Sequence, residues 1–599
     1  MTTGAGWPLR RLWILLFCAL TVGCGGVSVW RVRSAPRDRA AASQRGPSPS
    51  GTAQPEGDSR FNTAWANHAL ALRAGETSTD VAARLELDAI AGVEEILAWP
   101  SVPGKRGATR ELYNEALEGL LRSTGGRRIR PDQRWHARLA AMGILIAGPG
   151  PDSSPLWPPD RFDDLLFADD FSVQGMEPIH RIEGFGVPMI AVRRFHPMQA
   201  KQRTAQDRFL TPREVYPVTA ILRPVTSNGT AAAGARAHRL ELRDPLASTW
   251  VALAGRPRPM AADLTTPLAY HLARSPLPIL QEVGLLDPGW LQALEGLYML
   301  HPYRPGKIPL VLVHGLRSSP LAWLKVINAV WADPVLRERY QVWLFIYPTG
   351  LPFPSSAARL RADLFRLRDV IDPNRADPML DRMVLVGHSM GGLIAKMMIL
   401  ESGDAVWRLF SNRPFEELQV SPERREKLRR TLFFSPVPSV ARIVFIATPH
   451  RGSRMGDELI GRVTSRLIRL PRTLRSAYRE VLRINGREFF TPMLSDGVPT
   501  SIEELRFDNP LLVTLAHLPR RQDVPVHSII GRKDPLSPVE TSSDGVVPYE
   551  SSHIDWARSE LIVTGDHMCQ DLPDTIREIR RILLLPLERS ASPFQESLR

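Results

Sequence analysis

The chain has 599 residues, 43% hydrophobic and 23% charged, which excludes wholesale disorder and leaves room for about two to four domains. Only one apolar run is long enough to discuss as a membrane segment, so a polytopic membrane protein is excluded too. The 76 basic against 63 acidic residues give a net charge of +13 without any block of like charge, which argues against a nucleic-acid-binding arm and for a solvated basic surface, with an anionic membrane surface as the next partner. Three cysteines (Cys18, Cys24 and Cys569) cannot build a disulfide framework, and 53 prolines announce long irregular connections.

Residues 1–23 read as an export address. Arg10 and Arg11 precede the apolar run Leu12 to Val22, which is short for a spanning helix and soon interrupted by glycine. The run ends Leu20-Thr21-Val22-Gly23-Cys24, which resembles a bacterial lipobox, with Thr21 where an aliphatic residue is usual. That resemblance implies cleavage before Cys24, acylation of Cys24 and a chain tethered to a membrane. Gly25, rather than an aspartate, follows the cysteine; by resemblance to Gram-negative sorting, the expected destination is the outer membrane. Residues 24–58, rich in Ser, Pro, Gly, Arg and Ala, read as a flexible tether.

Residues 59–150 carry helical spacing, as in Leu87, Ile90, Val93 and Leu97. Residues 151–300 turn to short strands, among them Val187 to Val192, Val218 to Leu222 and His238 to Leu242, followed by a helical segment at 264–300. Neither region shows a chemistry signature. From 301 to 590 strands alternate with helices, the pattern of a mostly parallel sheet covered on both faces. The strands are near-continuous apolar runs, as burial on two sides demands: Ile308 to Val313, Tyr340 to Tyr347, Arg382 to Val386, Ala441 to Ala447, Val524 to Ile530 and Ser559 to Val563. Helices are expected over Ser355 to Ile371, Gly391 to Glu401 and Pro573 to Leu585, the last with Ile576, Ile579, Ile582 and Leu583 on one face.

One constellation carries chemistry. Gly387-His388-Ser389-Met390-Gly391-Gly392 is G-x-S-x-G between an expected strand and an expected helix, the context of a nucleophile elbow. A serine on such a turn needs small neighbours two positions away on each side, here Gly387 and Gly391. Two backbone N–H groups must receive an oxyanion. Met390 supplies one, and Leu316, after the strand that ends in His314-Gly315, the other. In this arrangement an acid and then a histidine follow the serine in sequence. His567 comes directly after a strand and is the expected base. His314, His388, His450, His527 and His553 read as structural residues. The acid is Asp544, 23 residues before His567 in Ser543-Asp544-Gly545-Val546-Val547-Pro548, with Asp534 as the alternative; the one left over is expected to be a turn former.

Taken with Ala447-Thr448-Pro449-His450-Arg451-Gly452-Ser453 and Gly565-Asp566-His567, these motifs make residues 300–590 resemble an α/β-hydrolase of the bacterial lipase/esterase type. The resemblance implies ester hydrolysis through an acyl-enzyme on Ser389, without a cofactor, on an ester or lipid substrate. Acyl transfer or thioester cleavage by the same residues is the alternative, and a non-catalytic scaffold the third reading. Some lipases hold calcium with an aspartate two residues past the histidine; Cys569 stands there, so no calcium site is expected. Two insertions stand out. The stretch 453–520 sets Leu459, Ile460, Val463, Leu467, Ile468 and Leu470 against Arg462, Arg466, Arg469, Arg472 and Arg475, the pattern of a cap on a lipid surface or of a packed helix with solvated arginines. The other, 403–438, carries Trp407, Phe410, Phe415, Phe433 and Phe434, as an acyl pocket or as plain core.

Overall fold

The structure, a computed structural model, describes residues 27–31, 55–75, 78–98, 106–147, 157, 161–194, 204–211, 213–225, 237–274, 294–453, 471–495, 497 and 500–588. The export address, Cys24 and the Leu459 to Leu470 stretch lie outside them. The chain divides into two compact units, one within 25–200 and 212–274, the other built on 201–211 and 275–599.

In the first unit the stretch read as a tether is partly structured. Strand β1 (Ser28–Arg31) pairs antiparallel with Phe171–Gln174, and helix α1 (Pro55–Ala74) begins inside the range assigned to the tether. Val29 and Trp30 supply β-propensity that the surrounding Ser/Pro/Gly composition concealed. Helices α2 (Thr79–Ala98) and α3 (Arg106–Gly125) follow. The strands that build the sheet are β2 (Arg128–Ile129), β3 (Ile144–Ala147), β4 (Asp164–Phe167), β5 (Val187–Arg194), β6 (Arg213–Pro224) and β7 (His238–Arg243), in the spatial order β2-β4-β5-β6-β7-β3. The helical and β-rich regions, separate by composition, share one core: Ile90, Val93, Leu117 and Leu121 bury with Tyr216, Ile221 and Leu240. The Tyr113 hydroxyl, on α3, donates to the Leu222 carbonyl on β6 at 2.6 Å.

The segment expected to be helical over 264–300 holds helix α4 (Thr265–Ala273), but Gly296–Met299 is strand β8. It belongs to the second unit and forms the antiparallel edge of a seven-stranded sheet, so that sheet begins before residue 301. Four residues are too few for periodicity to mark a strand; β8 exists because it pairs with its neighbour. The remaining strands are β9 (Ile308–Val313), β10 (Tyr340–Ile346), β11 (Met383–His388), β12 (Val440–Ile446), β13 (Val526–Arg532) and β14 (Ser559–Thr564). All of these run parallel, in the order β8-β10-β9-β11-β12-β13-β14. All six residues of β9 are buried, which leaves no polar face to alternate with. At about 1.5–3 kcal/mol for each buried aliphatic side chain, the apolar runs are what hold the sheet together.

Helix α5 (Phe353–Ile371) follows β10, and α6 (Met390–Lys396) follows β11. The expectation that α6 reaches Glu401 fails: it closes at Lys396, and Met397 to Leu400 continue buried but irregular, with Leu400 bridging Arg520. An apolar run buried all round carries no periodicity to show where a helix stops. Helix α7 (Arg472–Asn485) lies in the long insertion after β12, and α8 (Pro573–Glu588) closes the unit with Ile579, Ile582 and Leu583 buried. Among the described residues no helix is long and apolar enough to cross a membrane.

Candidate active site

Three loops at the carboxyl ends of β9, β11 and β14 and one after β13 bring the singled-out residues together, the end at which open parallel sheets place their chemistry. Ser389 sits between β11 and α6 with φ +53° and ψ −126°, a backbone conformation that costs an L-residue about 1–3 kcal/mol. Neighbouring chain holds it there. The Ser389 N–H donates to the Ile446 carbonyl on β12 at 2.9 Å, and the Gly392 N–H donates to the Ser389 carbonyl at 2.9 Å. A Cβ on Gly391 would lie 2.3 Å from the Val313 carbonyl oxygen, and one on Gly387 would lie 2.5 Å from the Gly391 carbonyl oxygen. Both obstacles are backbone, so the turn can be this tight only with glycine on both sides.

His567 Nε2 stands 2.9 Å from Ser389 Oγ, and His567 Nδ1 stands 2.7 Å from Asp544 Oδ2. Asp544 is buried, and its other oxygen accepts the N–H groups of Val546 at 2.8 Å and Val547 at 2.7 Å. A carboxylate can only accept, so His567 carries its proton on Nδ1 and turns the Nε2 lone pair to the serine hydroxyl. Asp534 does not join them: it lies on an exposed turn, where its Oδ1 accepts the Leu536 N–H at 3.0 Å.

The loop that carries Leu316 is braced from behind. The Tyr347 hydroxyl donates to the His314 carbonyl at 2.6 Å, and the two rings stack with centroids 4.4 Å apart. His314 Nδ1 donates to the Gly315 carbonyl at 3.1 Å. In a trans peptide the C=O and the following N–H point opposite ways, so fixing the Gly315 carbonyl also fixes the direction of the Leu316 N–H. The loop runs close to the serine: a Cβ on Gly315 would lie 2.9 Å from Ser389 Cβ. Met390 is the first residue of α6, where a helix leaves its N–H without an internal partner.

The other histidines have structural surroundings. His527 Nδ1 faces Ser559 Oγ at 2.7 Å, and His553 pairs with Glu560 at 2.7 Å and Asp555 at 3.1 Å. His450 packs edge-on to Phe445, ring centroids 4.7 Å apart. Burial pushes His314 down to about 4; burial, aided by the neighbouring His567, pushes His388 down to about 3. Burial, with Lys396 and Arg451 nearby, holds His450 well below its ordinary value. All three are neutral when folded and take up protons on unfolding below about pH 6.5. Their contribution is therefore complete above that pH and lost as pH falls, by about 1.4 kcal/mol per pH unit for each ring. In the folded protein none of the three rings is expected to take up a proton between roughly pH 8 and 5, as read by NMR of the ring nitrogens. A ring that titrates near the ordinary value of about 6.5 would contradict its burial.

Cys569 is buried, and burial pushes its thiol up. No group of His, Cys, Asp or Glu among the described residues could hold a metal ion. In the 403–438 insertion Trp407, Phe415 and Phe434 are buried, and Phe415 packs against both Trp407 and Phe433, at 5.1 and 4.9 Å between ring centroids.

Residues 310–578 match the model of the alpha/beta hydrolase family. The fold is that of an α/β-hydrolase. Solved structures similar to this chain include Bacillus licheniformis lipase BlEst2 in its propeptide form, 17% identical over 48% of this chain, with TM-score 0.28. The chain spans about half of that protein, 52% of its length. Staphylococcus hyicus lipase is 14% identical over 49% of this chain and 99% of its own, with TM-score 0.30. A Thermogutta terrifontis esterase with butyrate bound is 14% identical over 49% and 88%, with TM-score 0.26. No curated protein matches the chain. Two residues beside the site have contacts that the sequence did not show: Tyr347, just after β10, which donates to the His314 carbonyl, and His388, read as structural, whose Nε2 meets the His567 carbonyl at 2.7 Å.

Proposed function

We propose that the hydrolase domain is a serine esterase or lipase that cleaves carboxylic esters through an acyl-enzyme. The line from Asp544 through His567 to Ser389, at 2.7 and 2.9 Å, is the observation that carries this reading. Ser389 Oγ attacks the ester carbonyl as its proton passes to His567 Nε2. Asp544 holds the Nδ1–H tautomer and stabilises the imidazolium, and the Leu316 and Met390 amides receive the oxyanion. The intermediate collapses as the alcohol leaves with the proton from Nε2. Water then attacks the acyl-serine, gives its proton to Nε2, and releases the acid as the proton returns to Ser389.

A lipid ester at a membrane is the substrate we favour. Supporting it are the lipobox-like Cys24, which would tether the exported chain to the outer membrane, and α7, where Arg475, Arg479 and Arg483 form an exposed row. The test is reaction of the full chain with a fluorophosphonate, mapping of the adduct by peptide mass spectrometry, and turnover of p-nitrophenyl esters of short to long acyl chain. The adduct is expected on Ser389, with activity against these esters. A folded protein that takes no label and turns over no ester would remove the reading. The chain-length profile separates esterase from lipase.

A further inference from the structure

His388 ends β11, directly before the strained Ser389, and is buried. Its Nε2 lies 2.7 Å from the main-chain carbonyl of His567, 179 residues away in sequence, and the two rings lie 5.0 Å apart at a tilt of 48°. We propose that His388 is a positioning residue that ties the loop carrying the base to the turn carrying the nucleophile, so that the His567–Ser389 distance survives motion of either loop. This inference rests on the serine-hydrolase reading of the site.

A carbonyl only accepts, so this contact requires the proton of His388 on Nε2. The neutral ring then has a bare Nδ1, which has no hydrogen-bond partner among the described residues. Among the described residues no second bond competes, and the His567 carbonyl sets the tautomer. The position of that carbonyl is what gives the bond its effect. Asp544 holds the far end of His567, at Nδ1, while His388 holds the near end, at the main chain. With both ends held, the imidazole has little freedom except small rotations about its own bonds.

The loop needs such a tie. Thr564, Asp566 and Met568 are exposed around His567. The local tethers are the Gly565 N–H to the Arg532 carbonyl at 3.0 Å and the Met568 N–H to Asp566 Oδ1 at 2.9 Å, and neither reaches the elbow. The charge state suits the role as well. Burial, aided by the neighbouring His567, keeps His388 neutral, so no second cation forms 5.0 Å from the imidazolium.

The test compares His388→Gln with His388→Asn in the full chain. The glutamine amide nitrogen falls near the place of Nε2 and can still donate to the His567 carbonyl. The asparagine amide is one methylene shorter and falls near Nδ1. His388→Asn is expected to lower kcat on p-nitrophenyl acetate about 100-fold at unchanged KM, the size of effect that a misplacement of about 1 Å produces. His388→Gln should recover most of that loss. The low-field NMR proton of the His567–Asp544 hydrogen bond should shift or broaden in His388→Asn and stay in place in His388→Gln. That signal is read without turnover, so it tests the tie even if the ester chemistry is absent. Failure of the hydrolase reading would appear as a wild type that no fluorophosphonate labels. Equal behaviour of the two variants in kcat and in the low-field proton would overturn the proposal, whether both match the wild type or both fall. So would an effect of His388→Asn confined to the melting temperature.

Discussion

Ser389→Ala is expected to lower kcat on a soluble p-nitrophenyl ester about a million-fold and to abolish fluorophosphonate labelling, with the domain still folded. Removing Oγ removes the atom that attacks. The Leu316 and Met390 amides and the substrate contacts remain, and such groups sustain about a thousandfold over water by themselves. Stability should barely move, because alanine keeps the Cβ and the same φ of +53°. Glycine separates the strain from the chemistry. Ser389→Gly is equally inactive but free of the left-handed penalty, and is expected to unfold at higher urea than Ser389→Ala, by about 1 kcal/mol. If the two unfold together, the turn at Ser389 stores no strain. Retained turnover in Ser389→Ala would place the nucleophile elsewhere.

The parts of this protein that could be read from its sequence are those whose physics is local or whose burial is uniform. The strands Ile308–Val313 and Val440–Ile446 announce themselves as near-continuous apolar runs, broken in the second by Arg442, because a sheet covered on both faces leaves little room for polar residues. Ser389 and His567 stand out because each follows closely on a strand, and Asp544 because of its Asp-Gly-Val-Val-Pro turn signature, and the fold then brings them within hydrogen-bond distance. What the sequence concealed depends on distant partners. The four residues Gly296–Met299 became a strand by pairing with Tyr340–Ile346. Ser28–Arg31 did so by pairing with Phe171–Gln174. The helices of the first unit read as a region of their own, although Tyr113 reaches Leu222, 109 residues on. His388 and Tyr347 are of the same kind. Nothing near them in sequence shows that one holds the His567 carbonyl and the other the His314 carbonyl.

Asp544→Asn is expected to lower kcat about ten-thousand-fold with little change in KM, whereas Asp534→Asn should leave both within about twofold. The two aspartates differ in what they face. Asp544 is buried, accepts from Val546 and Val547 through one oxygen, and meets His567 Nδ1 with the other. An asparagine there keeps its single oxygen on the two backbone N–H groups, since an amide nitrogen cannot accept them. Its NH2 must then turn to His567 and demand a bare Nδ1. The ring proton moves to Nε2, where it points at the serine hydroxyl and leaves no lone pair to take the serine proton. The charge that stabilised the imidazolium is lost in the same step. Binding of substrate involves neither effect, so the loss belongs in kcat. Asp534 faces only its own turn, where its Oδ1 accepts the Leu536 N–H at 3.0 Å, a contact that an asparagine oxygen makes equally well. A deficit in Asp534→Asn comparable with that of Asp544→Asn would mean that the acid is not the residue the hydrogen bond to His567 identifies. Intact turnover in Asp544→Asn would mean that the base needs no carboxylate to set its tautomer.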